Sequence, residues 1–170
     1  MRRILILDDE PAVLNALRRT LRTAFAKDDV VIEVFDEPEA AVLRAGEQDF
    51  DVVISDYRMP GLNGADVLQF VKGLQPDAIR IVVSATTEIV EIADAVNRAE
   101  VFRYLAKPWQ QEELVATVRD AFARKDRSQR PAPAAAPEDT CRQRELDRLE
   151  QDEPGITRVD RDEDGNIRLF

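Results

Sequence analysis

Residues 50–64 read F-D-V-V-I-S-D-Y-R-M-P-G-L-N-G. Phe50, Val52, Val53 and Ile54 form an apolar run without strict alternation, the pattern of a strand covered on both faces and hence of a parallel sheet. Asp56 closes that run, and the Met59-Pro60-Gly61 turn follows at once. A carboxylate at the lip of a buried strand is costly unless its charge is put to use.

The same alternation of elements continues in both directions. Before this stretch come strand-like runs at 3–7 (R-I-L-I-L), which ends in Asp8-Asp9, and at 30–35 (V-V-I-E-V-F). After it come 79–84 (I-R-I-V-V-S) and 101–106. Helical patterns fill the gaps. Pro11 opens the first, with Leu14, Leu17, Leu21 and Phe25 on one face and Asn15, Arg18, Arg19 and Arg22 on the other. A second follows Asp36-Glu37-Pro38, and a third at 64–75 carries Val67, Leu68, Val71 and Leu74. A fourth spans 86–99, and a fifth runs from Pro108 to about Lys125. Five strands alternating with five helices predict an α/β fold. We expect a flavodoxin-like, doubly wound, five-stranded parallel sheet in the order 2-1-3-4-5. Its switch point falls between the first and third strands, where such sheets bind ligands.

Composition narrows the function. The chain has 170 residues, a formal net charge of −10 and no histidine. Histidine-based catalysis, a phosphorylatable histidine and most zinc sites are excluded. Neither the first 126 residues nor the remainder is net basic, which argues against direct nucleic-acid binding and against an anionic membrane surface. The single cysteine, Cys141, has no partner for an internal disulfide, and no run reaches membrane-spanning length. A cytoplasmic protein without membrane insertion is the expectation.

Three regions are expected. Residues 1–126 form the α/β domain. Residues 127–140 (R-S-Q-R-P-A-P-A-A-A-P-E-D-T) read as a Pro/Ala-rich linker, and 141–170 as a short extension with a helical turn and a β-hairpin around Asp164-Gly165. The run Asp160-x-Asp162-x-Asp164-Gly165 imitates the start of a calcium loop. It lacks the acid at the twelfth position, so the hairpin reading is preferred.

In the expected topology all strands end on one edge of the sheet. That edge gathers Asp8, Asp9, Asp56, Ser84 and Lys107 from four segments. Three carboxylates repel one another, and a hard divalent cation relieves that best, so the cluster predicts a Mg²⁺ site. Singly, each residue has a plainer reading: Asp9 could cap the helix opened by Pro11, and Lys107-Pro108 could be a simple turn.

Residues 1–126 resemble the receiver domain of bacterial two-component response regulators. The resemblance rests on L-D-D-E-P (7–11), I-S-D-Y-R-M-P-G-L-N-G (54–64), V-V-S-A-T-T (82–87) and F-R-Y-L-A-K-P-W (102–109). It implies that Asp56 is the phosphoacceptor, served by a histidine kinase or histidine phosphotransfer protein. Mg²⁺ would be held by Asp9, Asp56 and the Arg58 backbone carbonyl, and by Asp8 through water. The Ser84 hydroxyl, the Ala85 backbone amide and Lys107 would contact the phosphoryl oxygens, and Tyr104 would follow Ser84 as the switch. Arg58 and Thr86 stand at the positions that tune phosphoryl lifetime in such domains. Asn15, Arg18, Arg19, Arg22 and Pro108 correspond to the kinase-docking surface, although a solvated basic face would look the same.

Two enzyme-like alternatives fit less well. A haloacid-dehalogenase-like phosphatase needs a second Asp two residues after the first, where Arg58 stands. A flavodoxin needs a phosphate-cradling loop where Asp8-Asp9-Glu10 stands. No effector domain is recognised after residue 126. The resemblance therefore implies a signalling receiver rather than an enzyme acting on a substrate. It would work by contact with an unknown downstream protein, within a phosphorelay, or as a phosphorylation-dependent homodimer. The alternative is a regulator whose C-terminal hairpin is itself the effector or dimerisation element.

Overall fold

The computed structural model describes residues 1–85, 93 and 97–129. The expected hairpin, the calcium-loop-like run, Thr86 and most of the helix expected over 86–99 lie outside these residues, as does the linker beyond residue 129. Five strands, β1 (Arg2–Leu7), β2 (Val30–Phe35), β3 (Val52–Ser55), β4 (Ile79–Ser84) and β5 (Arg103–Ala106), form one sheet. All pair in parallel, in the order β2-β1-β3-β4-β5. The helices are α1 (Pro11–Ala24), α2 (Pro38–Glu47), α3 (Gly64–Leu74) and α4 (Gln111–Gln129). Residues 97–99, ahead of β5, are also helical. This is the flavodoxin-like doubly wound fold.

The pleat sorts the core into two layers. Ile4, Ile6, Val52 and Ile54 point to the side covered by α1 and α4, where they meet Leu17, Leu21, Leu114 and Val118. Leu5, Leu7 and Val53 point the other way, onto Ala41 and Ala45 of α2 and Val67, Leu68 and Val71 of α3. Every residue of β3 and β4 is buried, as expected for strands covered on both faces. Each fully buried Leu or Ile contributes about 1.5–3 kcal/mol, so these two layers hold the sheet edge in place.

The chain departs from the sequence pattern in several places, among them β5, which begins at Arg103 rather than residue 101. α4 begins at Gln111 rather than Pro108 and runs to Gln129, so residues 127–129 continue the helix instead of opening the linker. Its last turns are anchored: Lys125 Nζ donates to the Phe50 carbonyl at 2.9 Å, and the Arg2 guanidinium clamps the Asp126 carboxylate at 2.8 and 2.7 Å. Leu74, expected in the α3 core stripe, is 52 % exposed. Its neighbour Gln75 turns inward instead, accepting from the Phe50 N–H and donating to the Ala45 and Gln48 carbonyls. Arg80, in the middle of β4, is buried with its guanidinium on the carbonyls of Ala99, Pro76 and Ala78.

Thr117 of α4 is fully buried and its hydroxyl has no hydrogen-bond partner among the described residues. An unmade hydrogen bond at a buried hydroxyl costs about 1–3 kcal/mol. Thr117→Val keeps the side-chain shape and removes that hydroxyl. It should raise the unfolding free energy by about 1 kcal/mol in urea titration; a loss of stability would show that the hydroxyl is satisfied.

Candidate functional site

The strand ends meet as the topology requires. β1 and β3 pair to Leu7 opposite Ser55, and the Asp56 N–H then donates to the Leu7 carbonyl at 2.9 Å. The Asp8 N–H donates to the Phe35 carbonyl at 3.2 Å, and the Lys107 N–H to the Ser84 carbonyl at 2.9 Å. Backbone ladders thus fix Asp8, Asp56, Ser84 and Lys107 on one edge.

Within the cluster, Lys107 Nζ lies 2.7 Å from Asp8 Oδ2, 2.9 Å from Asp56 Oδ2 and 3.6 Å from Glu10 Oε1. The Asp56 carboxylate is divided between two kinds of partner. Oδ1 accepts from the backbone N–H of Tyr57 at 2.6 Å and of Arg58 at 3.4 Å, while Oδ2 accepts from Lys107. Asp8 Oδ1 accepts from the Glu10 N–H at 3.0 Å. Asp8 Oδ2 has the Lys107 ammonium beside it but receives no well-aligned hydrogen bond among the described residues.

The electrostatics follow from burial. Asp8 is almost wholly buried, and loss of solvent raises its pKa above the ordinary aspartate value despite the opposing pull of Lys107. Burial alone would lower the Lys107 pKa, but the close carboxylates of Asp8 and Asp56 carry it above the ordinary lysine value. The lysine therefore stays protonated as the countercharge of two carboxylates.

Carboxylate oxygens of Asp8, Asp9 and Asp56 all lie within 4.8 Å of one another. This donor set is hard and all-oxygen, and Asp8 Oδ2 is under-satisfied, so the residues present fit a Mg²⁺ ion. Asp9 does not cap the first helix: the N-cap residue is Glu10, and its side chain makes no capping hydrogen bond. Asp9 is exposed and its carboxylate belongs to the cluster.

The other expected residues fall around this centre. Ser84 is buried at the end of β4, Ala85 is exposed beside it, and Arg58 is exposed on the loop after Asp56. Tyr104 is half-buried and its hydroxyl donates to the Ser84 carbonyl at 3.0 Å. Asn15, Arg18, Arg19 and Arg22 are exposed along α1. Arg19 and Pro108 line one cavity of about 420 Å³ together with Trp109, so helix face and loop form a continuous surface there.

Two contributors escaped the sequence reading. Ser55 is fully buried and donates its hydroxyl to the Asp56 carbonyl at 2.8 Å, fixing the peptide that follows Asp56. Glu10 adds a third, exposed carboxylate facing Lys107. Adjacency to Asp56 and to Asp8-Asp9 was the only signal for either.

A model of the response regulator receiver domain matches residues 4–119, and the chain belongs to that family of two-component signalling modules. It is 39% identical over 118 residues to the hydrogenase transcriptional regulatory protein HoxA of Cupriavidus necator, covering 69% of this chain and 23% of the relative. It is 32% identical over 136 residues to the DNA-binding transcriptional regulator NtrC of Azospirillum brasilense, covering 80% and 26%. The chain thus spans about a quarter of the length of these curated relatives. Among solved structures, the signal receiver domain of an HD domain-containing protein from Pseudomonas fluorescens superposes with a TM-score of 0.67 at 25% identity, covering 74% of this chain and 97% of that one. A CheY-like receiver domain protein from Methanospirillum hungatei gives 0.68 at 19% identity, covering 75% and 98%. Among the described residues no helix is long and apolar enough to cross a membrane.

Proposed function

We propose that this chain is a response regulator that takes a phosphoryl group on Asp56 from a histidine kinase or histidine phosphotransfer protein. It then signals through protein–protein contact or passes the group along a relay. The observation that carries the reading is Lys107, bridging Asp8 and Asp56 beside an under-satisfied carboxylate oxygen. Mg²⁺ would be held by Asp8, Asp9, Asp56 and the Arg58 carbonyl, and when bound it neutralises the charge that gathers on the transferred phosphoryl oxygens.

The chain's own residues do the rest. Backbone N–H groups of Tyr57 and Arg58 orient the Asp56 carboxylate. One carboxylate oxygen forms the new P–O bond as the donor's P–N bond breaks, and the bonding electrons remain on the donor imidazole. Positioning and charge neutralisation suffice for this chemistry, so a site without histidine is adequate. Lys107, the Ser84 hydroxyl and the Ala85 N–H receive the phosphoryl oxygens. Tyr104, tied to the Ser84 carbonyl, is placed to report the movement of Ser84 to the β5 surface. Arg58, which is exposed, and Thr86 would set how long the acyl phosphate survives. The α1 face with Arg18, Arg19 and Arg22, joined to the Pro108 loop, would receive the phosphodonor protein. In this reading residues 1–126 hold the receiver, the segment after them is a linker and extension, and the protein works in the cytoplasm.

The test is direct. Incubation with a small-molecule phosphodonor and Mg²⁺ should add one phosphoryl group at Asp56, detected by mass spectrometry as an acyl phosphate. Asp56→Asn should abolish it. An unmodified chain, or an undiminished yield in the variant, overturns the assignment.

A further inference from the structure

Lys107 faces three carboxylates, and they differ in exposure. The side chains of Asp8 and Asp56 are buried, while that of Glu10 is 63 % exposed with Oε1 3.6 Å from Lys107 Nζ. Among the described residues, the carboxylates close enough to share one cation are those of Asp8, Asp9 and Asp56. Glu10 is not in that group, so a cation ligated there leaves its charge in place beside the lysine.

The backbone keeps Glu10 at this spot. Its N–H donates to Asp8 Oδ1 at 3.0 Å, and its carbonyl accepts from the Val13 and Leu14 N–H groups at 3.0 and 3.1 Å. Pro11 follows as the first residue of α1 and restricts the joint. Glu10 is the N-cap of α1, where a carboxylate favours the helix end, yet its side chain makes no capping hydrogen bond. An ion pair this long and this exposed adds little to stability, so folding does not account for it. Its charge acts on whatever approaches Lys107. A phosphodonor is anionic and must reach the same ammonium.

We propose that Glu10 is a specificity-determining residue for phosphoryl transfer, occupying Lys107 from the solvent side and repelling free phosphodonors according to their negative charge. The inference rests on the phosphoryl reading of Asp56. A donor protein offsets the repulsion with its own docking contacts. A small anionic donor has none, so Glu10 keeps such molecules from setting the switch.

Acetyl phosphate carries more negative charge near neutrality than phosphoramidate. With either donor the P–O bond to Asp56 forms as the donor's bond to phosphorus breaks, and acetate or ammonia leaves with the bonding electrons. At low salt and saturating Mg²⁺, Glu10→Gln should raise the second-order rate with acetyl phosphate about threefold to fivefold, the scale of an exposed charge contact. The gain with phosphoramidate should be smaller. Both gains should largely vanish in about 1 M salt, where screening acts within about 3 Å. Glu10→Ala should behave alike. Asp49→Asn makes the same charge change on the loop ahead of β3, at the far edge of the sheet, and should leave both rates at the parental value. Thermal unfolding checks that each variant is folded. A parent that takes no phosphoryl group overturns the phosphoryl reading and this inference with it. If the parent is phosphorylated, this inference alone is overturned by a Glu10→Gln variant that is no faster, gains equally with both donors or keeps its gain in high salt. An equal gain in Asp49→Asn overturns it too.

Discussion

Gly64→Ala should lower the unfolding free energy by about 3 kcal/mol, the upper end of ordinary overpacking, and should displace the Asp56 carboxylate. A Cβ on Gly64 would lie 1.8 Å from the Asp56 carbonyl oxygen, 2.7 Å from its carbonyl carbon and 2.9 Å from Tyr57 Cα. All three are backbone atoms, so no flexible side chain can move aside. The oxygen is also held from behind by the Ser55 hydroxyl at 2.8 Å, and the Gly64 N–H donates to the Tyr57 carbonyl at 2.8 Å. Relief therefore requires the peptide after Asp56 to move, and its carboxylate with it. Gly46 of α2 supplies the contrast, because a Cβ there meets nothing within 4 Å. Gly46→Ala should stabilise by about 0.5–1 kcal/mol through helix propensity alone. Urea titrations of the two variants should move in opposite directions, and acyl-phosphate yield should fall only for Gly64→Ala. Parental stability in Gly64→Ala would mean that α3 does not pack against Asp56 this closely.

Much of this arrangement is legible in the sequence because the strands announce both their burial and their ends. Runs such as Val52–Ile54 and Ile81–Val83 have no polar face, and a parallel sheet puts their C-terminal ends on one edge. That alone brings Asp8, Asp56, Ser84 and Lys107 together. The less legible residues are those whose polarity conceals burial. Gln75, Arg80 and Lys125 are polar or charged by type, yet each is buried with its polar atoms on backbone carbonyls or amides. The partners of Gln75 and Lys125 are distant in sequence, up to 75 positions for Lys125 and Phe50, so no local pattern encodes them. The inward turn of Gln75 also explains why the periodicity misplaces Leu74. Helical spacing says which residues share a stripe, but not where along the stripe the sheet beneath it stops.

Lys107→Met should destabilise the metal-free protein at neutral pH by about 3 kcal/mol, because removing one partner of a buried ionic cluster strands the others. The side chains of Asp8 and Asp56 are 1 % and 7 % exposed, and Lys107 forms an ion pair with both. The pH dependence carries a sign that checks the cause. The Lys107 pKa is raised in the folded protein, so its contribution is complete below the ordinary lysine value of 10.5 and is lost as pH climbs through the higher folded value. The parent should lose stability in that alkaline window and Lys107→Met should not. Asp8 works in the opposite sense: burial raises its pKa, so its ionisation costs native stability once pH exceeds the unfolded value near 3.8. Without the lysine that pKa climbs further, and the variant should recover stability as pH falls from neutrality, where the parent changes less. Added Mg²⁺ should stabilise the variant more than the parent, since the three carboxylates then lack a resident cation and a ligand that binds only the folded state raises its stability by linkage. Denaturant titrations in chelator and in Mg²⁺, at several pH values, read all of these at once. If Lys107→Met matched the parent in chelator and responded equally to Mg²⁺, the lysine would not be the countercharge that holds Asp8 and Asp56 together.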